Sequence, residues 1–75
     1  MTVAPLDAFP ITVNGNERRI PTGWTLSDLL ASLELDARAI VIERNGSILR
    51  DRSTFDSLAL ESDDTLEIVH FVGGG

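Results

Sequence analysis

The chain has 75 residues, with 12 acidic and 6 basic side chains and a formal net charge of −6. This length suits one small domain, and an apolar content of 43% is typical of a folded chain rather than a disordered one. The absence of cysteine excludes disulfides, thiolate metal sites and cysteine nucleophiles. The acidic balance disfavours nucleic-acid binding, and no apolar run is long enough for a membrane span. We therefore expect a cytoplasmic protein without nucleic-acid or membrane partners.

The chain is expected to begin with a flexible lead-in. Residues 1–8 show no periodicity and contain Pro5, whereas strand-like alternation starts directly afterwards. No repeat or linker-like stretch interrupts the remainder until three consecutive glycines at the end. We therefore predict a lead-in over residues 1–8, one domain over residues 9–72 and a flexible tail over residues 73–75.

The first predicted element is a hairpin. Apolar residues alternate along positions 9–13, as in a strand with one buried face: Phe9, Ile11 and Val13. The following Asn14-Gly15 favours the positive φ angles of a tight hairpin turn. Residues 17–20 are then predicted to return antiparallel, and Pro21 to end that strand because it has no N–H to donate.

A helix is predicted next. Thr25, followed three residues later by Asp28, is typical of a capping box at a helix N-terminus. An apolar stripe follows at helical spacing: Leu26, Leu29, Leu30 and Leu33. The helix is expected to fade over residues 34–36.

The second half of the chain predicts three more strands. The β-branched run over residues 39–43 indicates a central strand, Asn45-Gly46 a second turn, and residues 47–50 a short returning strand. Residues 51–64 are predicted to form a long connection with one helical turn and three apolar anchors, Phe55, Leu58 and Leu60. The pair Asp63-Asp64 is predicted to make the final turn, on a solvated face. Residues 65–72 give the strongest strand pattern in the chain.

This order of elements predicts an α+β fold of the ubiquitin-like β-grasp class. A hairpin, a helix that crosses to a new strand and a final long strand together form a mixed sheet of four to five strands packed on one main helix.

Most classes of catalytic site are excluded by composition. No Gly-Lys pair is present for a phosphate-binding loop, and the single histidine, His70, cannot build a zinc site without cysteine. His70 lies inside the last strand, on the face of Leu66 and Ile68, and no nucleophile and acid accompany it at a recognisable spacing. We predict an ordinary strand-end side chain and a protein that is not an enzyme and binds no metal or cofactor.

The tail is the feature that points to a function. Gly73, Gly74 and Gly75 directly follow a strong strand and carry no side chains, so they can enter a channel too narrow for any other residue. The carboxylate of Gly75 would then be the reactive group, delivered to the active site of another protein.

The β-grasp order, the chain length and the final segment together resemble a known family. The ending Ile68-Val69-His70-Phe71-Val72-Gly-Gly-Gly, the opening Ile11 to Gly15 and the Leu26-to-Leu33 helix are similar to the ThiS sulfur carriers of thiamine thiazole synthesis, within the MoaD-like superfamily. The resemblance covers residues 9–75, and the eight-residue lead-in departs from it.

The resemblance implies a mechanism and a set of partners. A ThiF-like adenylyltransferase would use Mg-ATP to adenylate the Gly75 carboxylate, and a sulfur donor such as a cysteine desulfurase would convert it to a thiocarboxylate. A ThiG-like thiazole synthase would then accept the sulfur. Docking would come from the sheet: if Leu66 and Ile68 face the helix, Val69 and Phe71 point outward and form an apolar anchor.

Three alternatives stay open at this point. The chain could be a carrier for molybdopterin or cysteine synthesis, since such carriers share the fold and the Gly-Gly ending. It could be a ubiquitin-like modifier that becomes conjugated to lysines of targets, or an interaction domain whose tail has no role. The direction of the side chains in the last strand is a separate question: if Leu66 and Ile68 face outward instead, Val69 and Phe71 would be core residues.

Overall fold

A computed structural model of the chain describes residues 7–71. Within this range one mixed sheet has the strand order β2-β1-β5-β3-β4 and packs against one α-helix. The strands and the helix are β1 (Ala8–Val13), β2 (Asn16–Pro21), α1 (Leu26–Ser32), β3 (Ile40–Arg44), β4 (Ser47–Ile48) and β5 (Thr65–His70). The predicted β-grasp class is confirmed, with five strands. The glycine tail and the lead-in up to residue 6 lie outside the described residues.

Both predicted Asn-Gly turns form tight hairpins. The φ angles are 49° and 83° at Asn14 and Gly15, and 51° and 87° at Asn45 and Gly46. Positive φ at both central residues is what a two-residue turn with the twist of the flanking strands requires. The turn chemistry therefore set the positions of both hairpins correctly.

The limits of the strands differ from the predicted ones by one or two residues. β1 begins at Ala8, one residue earlier, because Ala8 pairs with Pro21 across the hairpin. Pro21 therefore ends β2 from within the strand, which is tolerated because β2 lies at the edge of the sheet. β3 begins one residue late, at Ile40, because a 3₁₀ turn over Ala37–Ala39 precedes it.

The helix starts at the predicted capping box and ends earlier than expected. The Asp28 main-chain N–H donates to Thr25 Oγ1 at 3.3 Å, and the Thr25 N–H donates to the Asp28 carboxylate at 2.8 Å. α1 ends at Ser32 because Glu34 adopts a positive φ of 58°. The main-chain N–H groups of Glu34 and Leu35 then close the C-terminus onto the carbonyls of the last turn.

The core lies between α1 and the inner face of the sheet. The predicted leucine stripe contributes its first three members, and the connection before β5 contributes two of its three anchors. The helical turn predicted in that connection is a 3₁₀ turn at Arg52–Thr54. The buried apolar side chains are Ile11, Val13, Ile20, Leu26, Leu29, Leu30, Ile40, Ile42, Phe55, Leu60, Leu66 and Ile68.

Asp64 is buried, so the prediction that both members of the Asp63-Asp64 pair lie on a solvated face was wrong. Asp63 is exposed in the turn, with a φ of 70°, whereas Asp64 is only 5% exposed. The Asp64 carboxylate accepts from Arg44 at 2.9 Å, from the Asn45 amide at 3.0 Å and from the Glu61 main-chain N–H at 2.9 Å.

This cluster sets the charge state of Asp64. Burial alone would raise the pKa of the carboxyl, but the hydrogen bonds from Glu61, Asn45 and Arg44 outweigh it and hold the pKa below its ordinary value of 3.8. The ionised carboxylate ties the end of β3 to the turn that precedes β5. The cluster therefore fixes where β5 enters the sheet.

Candidate functional site

The candidate site is the C-terminal end of β5, where the chain leaves the sheet. β5 pairs with β3 over five positions but with β1 only at its first two residues, Thr65 and Leu66. Beyond the strand, the Phe71 N–H donates to the Ala39 carbonyl at 2.9 Å. The predicted reactive residue Gly75 and its neighbours Gly73 and Gly74 follow this end and lie outside the described residues.

The side chains at this end alternate as the sequence predicted. Leu66 and Ile68 are buried beneath the helix, whereas Val69 is 62% exposed and Phe71 is 52% exposed. His70 is exposed and lines the same side of the sheet as Ile68. The predicted exposure of Val69 and Phe71 is confirmed, and the opposite parity is wrong; their predicted role in docking stays a prediction.

Two further side chains extend this exposed apolar surface. Val41, which is half-buried, lies directly opposite Val69 in the β3–β5 pairing, and Ile48, on the neighbouring edge strand, is 45% exposed. We refer to Val41, Ile48, Val69 and Phe71 as the outer patch. The alternation of β3 around buried Ile40 and Ile42 could have revealed Val41, but a strand as short as β4 has no pattern that would reveal Ile48.

Arg52 fixes the end of the outer patch nearest the tail. Its guanidinium lies 5.8 Å from the centre of the Phe71 ring, a cation–π arrangement. The same guanidinium donates to the Ala37 carbonyl at 2.7 Å and to the Ile40 carbonyl at 3.0 Å. Because these two bonds anchor Arg52 to the start of β3, Phe71 packs against a positioned cation.

The outer patch is bordered by charges of opposite sign. Glu43 and Glu67 are directly opposed on β3 and β5, are both exposed and make no ion pair within residues 7–71. Like charges in opposed positions are destabilising, so this pair adds nothing to the fold. Arg50 and Arg52 line a shallow depression of about 320 Å³ beside Val41 and Ile48. The patch is therefore acidic toward the start of β5 and basic toward the tail.

The described part of the chain holds neither a metal-binding cluster nor a membrane-spanning helix. Over residues 7–71 there is no group of three or more His, Asp or Glu side chains that could hold a metal ion. No helix in this range is long and apolar enough to cross a membrane.

The comparison with models of protein families shows which family the chain belongs to. Residues 11–75, which include the last three residues of β1, the elements from β2 to β5 and the glycine tail, match the model of the ThiS family. The chain belongs to the ThiS family. A crystal structure of the thiamine biosynthesis protein ThiS from Geobacter metallireducens is similar, with a TM-score of 0.70 and 31% identity over 89% of this chain and all of that one.

Curated relatives are of two kinds. The sulfur carrier protein ThiS of Bacillus subtilis is 43% identical over 51 residues, covering 68% of this chain and 76% of that protein. Thiazole synthases of Magnetococcus marinus and Paramagnetospirillum magneticum are 37% and 38% identical over 65 residues. The chain spans 20% of the length of these two synthases, so a segment like this ThiS-family chain forms part of a longer protein there.

Proposed function

We propose that the protein carries sulfur for thiazole formation in thiamine biosynthesis, bound as a thiocarboxylate at Gly75. The observation that carries the proposal is the ThiS-family match, which runs through the three glycines to residue 75. The similar Bacillus subtilis protein, named a sulfur carrier, supports the same assignment. The proposal takes Gly75 as the last residue of the working protein.

The chemistry uses the Gly75 carboxylate twice. A carboxylate oxygen attacks the α-phosphorus of Mg-ATP on a ThiF-like adenylyltransferase, pyrophosphate leaves, and an acyl adenylate forms. A persulfide sulfur, supplied through a cysteine desulfurase, then attacks the activated carbonyl and AMP leaves. Cleavage of the sulfur–sulfur bond by a thiol yields the thiocarboxylate and a disulfide. On a thiazole synthase the sulfur passes to the substrate of that enzyme, an oxygen from the substrate or from water replaces it on the acyl carbon, and the carboxylate is regenerated.

The chain contributes access and selectivity rather than catalysis. Three glycines extend about 10 Å and present no side chain, so a narrow channel admits them. The chain contains neither cysteine nor lysine, so no side-chain thiol or amine of its own competes for the activated carbonyl. The protein is therefore a recycled cosubstrate, and the catalytic groups belong to its partners.

The outer patch is the proposed docking surface for these partners. Val69 and Phe71 are large apolar side chains exposed beside the tail, and aromatic anchors dominate the energetics of most protein interfaces. Arg52 positions Phe71, and the charged border around the patch favours one orientation of a partner over others.

Thiazole synthase is the proposed acceptor of the sulfur. The support is that a segment similar to this chain lies within two proteins named thiazole synthase. Carriers for molybdopterin or cysteine synthesis and conjugated modifiers are the competing outcomes of the experiment below.

A reconstituted transfer tests the proposal. The protein is incubated with the adenylyltransferase of the same genome, Mg-ATP, a cysteine desulfurase and cysteine, and then with the thiazole synthase and the small-molecule substrates of that enzyme. We expect ATP-dependent loading followed by unloading on the synthase, and neither for a variant lacking Gly75. Loading without discharge to thiazole synthase, adducts with other proteins, or equal loading of the truncated variant would overturn the proposal.

A further inference from the structure

The last residue of β5 presents an unpaired main-chain edge. His70 stands opposite Ile40, and the flanking bond from the Phe71 N–H to the Ala39 carbonyl makes this a non-hydrogen-bonded pair. The N–H and C=O of His70 therefore point away from β3, toward the side of β1. β1 ends at Val13, opposite Leu66, so no strand within residues 7–71 lies beside His70 on that side.

Two residues earlier, the main-chain groups of Ile68 point to the same side as those of His70, and both are hydrogen-bonded. The Ile68 N–H donates to Asn14 Oδ1 at 2.7 Å, and the Ile68 carbonyl accepts from Asn14 Nδ2 at 3.2 Å. One side chain thus supplies what the peptide group of a neighbouring strand would supply. At His70 this support stops, and within residues 7–71 its main-chain groups make no hydrogen bond.

A groove of about 290 Å³ lies on the helix side of this edge. Its apolar lining includes Leu33 and Leu35 at the C-terminal end of α1 and Ile68 of β5. Its polar lining consists of Asn14, Asn16, Arg18 and His70, and Arg18 makes no ion pair within the described range. The open donor and acceptor of β5 are therefore adjacent to a groove that has both an apolar part, at Leu33, Leu35 and Ile68, and a cation, Arg18.

We propose that an extended segment of the adenylyltransferase adds a strand to β5 at His70. This inference rests on the proposed function, because it concerns the enzyme that first receives the tail. A strand that pairs at this edge places alternate side chains on the groove side of the sheet. One apolar side chain of the segment fills the space by Leu33 and Leu35, and an acidic side chain pairs with Arg18.

The chemistry of the edge favours a polypeptide of another protein over a second copy of this chain. The free N–H and C=O of His70 lie at the edge of a strand, and such groups are recognised by the main chain of another extended segment. Two copies joined at this edge would bring together two Arg18 side chains and two bodies of net charge −6.

Paired substitutions at His70 separate the main chain from the imidazole. His70→Ala removes the side chain and keeps the N–H, whereas His70→Pro also removes the N–H, which forms no bond to β3. We expect His70→Ala to bind the adenylyltransferase within about threefold of the wild type, and His70→Pro to bind at least about tenfold more weakly. Equal affinities of the two variants would overturn the proposal.

The charge in the groove has a matched control on the next residue. Arg18 and Arg19 are adjacent on β2 and point to opposite faces, with only Arg18 in the groove. Arg18→Gln should weaken binding by about threefold or more, whereas Arg19→Gln should leave it unchanged. The reverse result, or equal losses, would contradict an acidic segment in the groove.

Amide hydrogen exchange on the wild-type protein provides a measurement that does not depend on how a variant folds. In the free protein the amide of His70 should exchange far faster than those of Val69 and Phe71, which point toward β3. Adding the adenylyltransferase should slow exchange at His70 at least about tenfold. Fast exchange at His70 in the saturated complex would overturn the proposal. Slow exchange at His70 in the free protein would also overturn it if the slowing depends on protein concentration, which indicates a second copy at the edge, or on residues 73–75, which indicates the chain's own tail.

The outcomes separate this inference from the proposed function. If the wild type is never adenylated or loaded with sulfur, the proposed function fails whatever His70 does. If the wild type is loaded and His70→Pro is loaded with the KM of His70→Ala, only the strand pairing fails.

Discussion

The side-chain amide of Asn14 stands in for a strand beside Ile68, accepting from its N–H at 2.7 Å and donating to its carbonyl at 3.2 Å. Asn45, the first residue of the other Asn-Gly turn, accepts from the Thr65 N–H at 2.9 Å. Each hairpin turn therefore also holds β5, one near its start and the other near its end. The strand that leads to the tail is positioned by both turns.

Replacing Asn14 with glycine should expose the value of this support. Glycine tolerates the positive φ at this position, so the substitution removes the two hydrogen bonds without adding backbone strain. We expect a loss of about 2 kcal/mol in the free energy of unfolding, measured by urea denaturation, since each bond contributes about 1 kcal/mol. Asn16→Ala, at an exposed neighbouring position, should change stability by no more than about 0.5 kcal/mol. Equal stability of the Asn14→Gly variant and the wild type would contradict this role.

Asp64 should make stability depend on acid pH. Its folded pKa is lower than the ordinary value of 3.8, so its contribution is fully present above that value and is lost as the pH falls through the lower folded pKa. Melting temperatures measured from pH 7 down to pH 2 should show this loss in the wild type.

Two asparagine variants isolate the contribution of Asp64. Asp64→Asn should lower stability at pH 7, because Arg44 stays charged without its closest carboxylate, and should flatten the acid dependence. Asp63→Asn changes an exposed turn residue, and asparagine accepts its positive φ, so it should behave as the wild type. An unchanged acid profile in the Asp64→Asn variant would show that the buried cluster does not act as described.

The local elements of this fold could be predicted from sequence because each depends on neighbouring residues. Asn14-Gly15 sets a hairpin by its own φ preferences, and Thr25 with Asp28 caps a helix within one turn. The exposure of Val69 and Phe71 followed from the alternation of a single strand. Such features need no information about distant parts of the chain.

The features that sequence reasoning missed join residues far apart in the chain. Asp64 was expected on the surface because acidic pairs in turns are usually solvated, and only its contacts with Arg44 and Asn45 explain its burial. The second role of Asn14, beside Ile68, spans 54 positions. Ile48 lies in the outer patch because β4 pairs with β3, and a strand of two residues is too short for its sequence to show which side chain faces outward.

The early end of α1 offers a route to a more stable protein. Glu34 holds a φ of 58° at a position where glycine is usual, and a side chain in this region is strained by about 1 kcal/mol. Glu34→Gly should therefore raise the free energy of unfolding by up to about 1 kcal/mol. Glu34→Ala removes the same carboxylate without relieving the strain and should give no gain in urea denaturation. A gain of equal size in both variants would trace the effect to the carboxylate instead.

The outer patch should be needed for binding but not for folding. Phe71→Asp places a charge on an exposed apolar surface, so we expect affinity for the adenylyltransferase to fall by about 2 kcal/mol or more while the melting temperature changes little. Ser47→Asp adds the same charge at an exposed position outside the patch and should bind normally. Calorimetric titration of both variants makes the comparison. Unfolding of the Phe71→Asp variant would contradict the statement that the outer patch is not needed for folding. Normal binding by this variant would contradict the docking role.

Intact-protein mass spectrometry, with fragmentation to locate any change, shows whether Gly75 carries the sulfur. After incubation with Mg-ATP, the adenylyltransferase and a persulfide source, we expect a mass increase equal to one oxygen replaced by sulfur, confined to residue 75. An unchanged mass, sulfur placed on any other residue, or a working protein whose last residue is not Gly75 would contradict it.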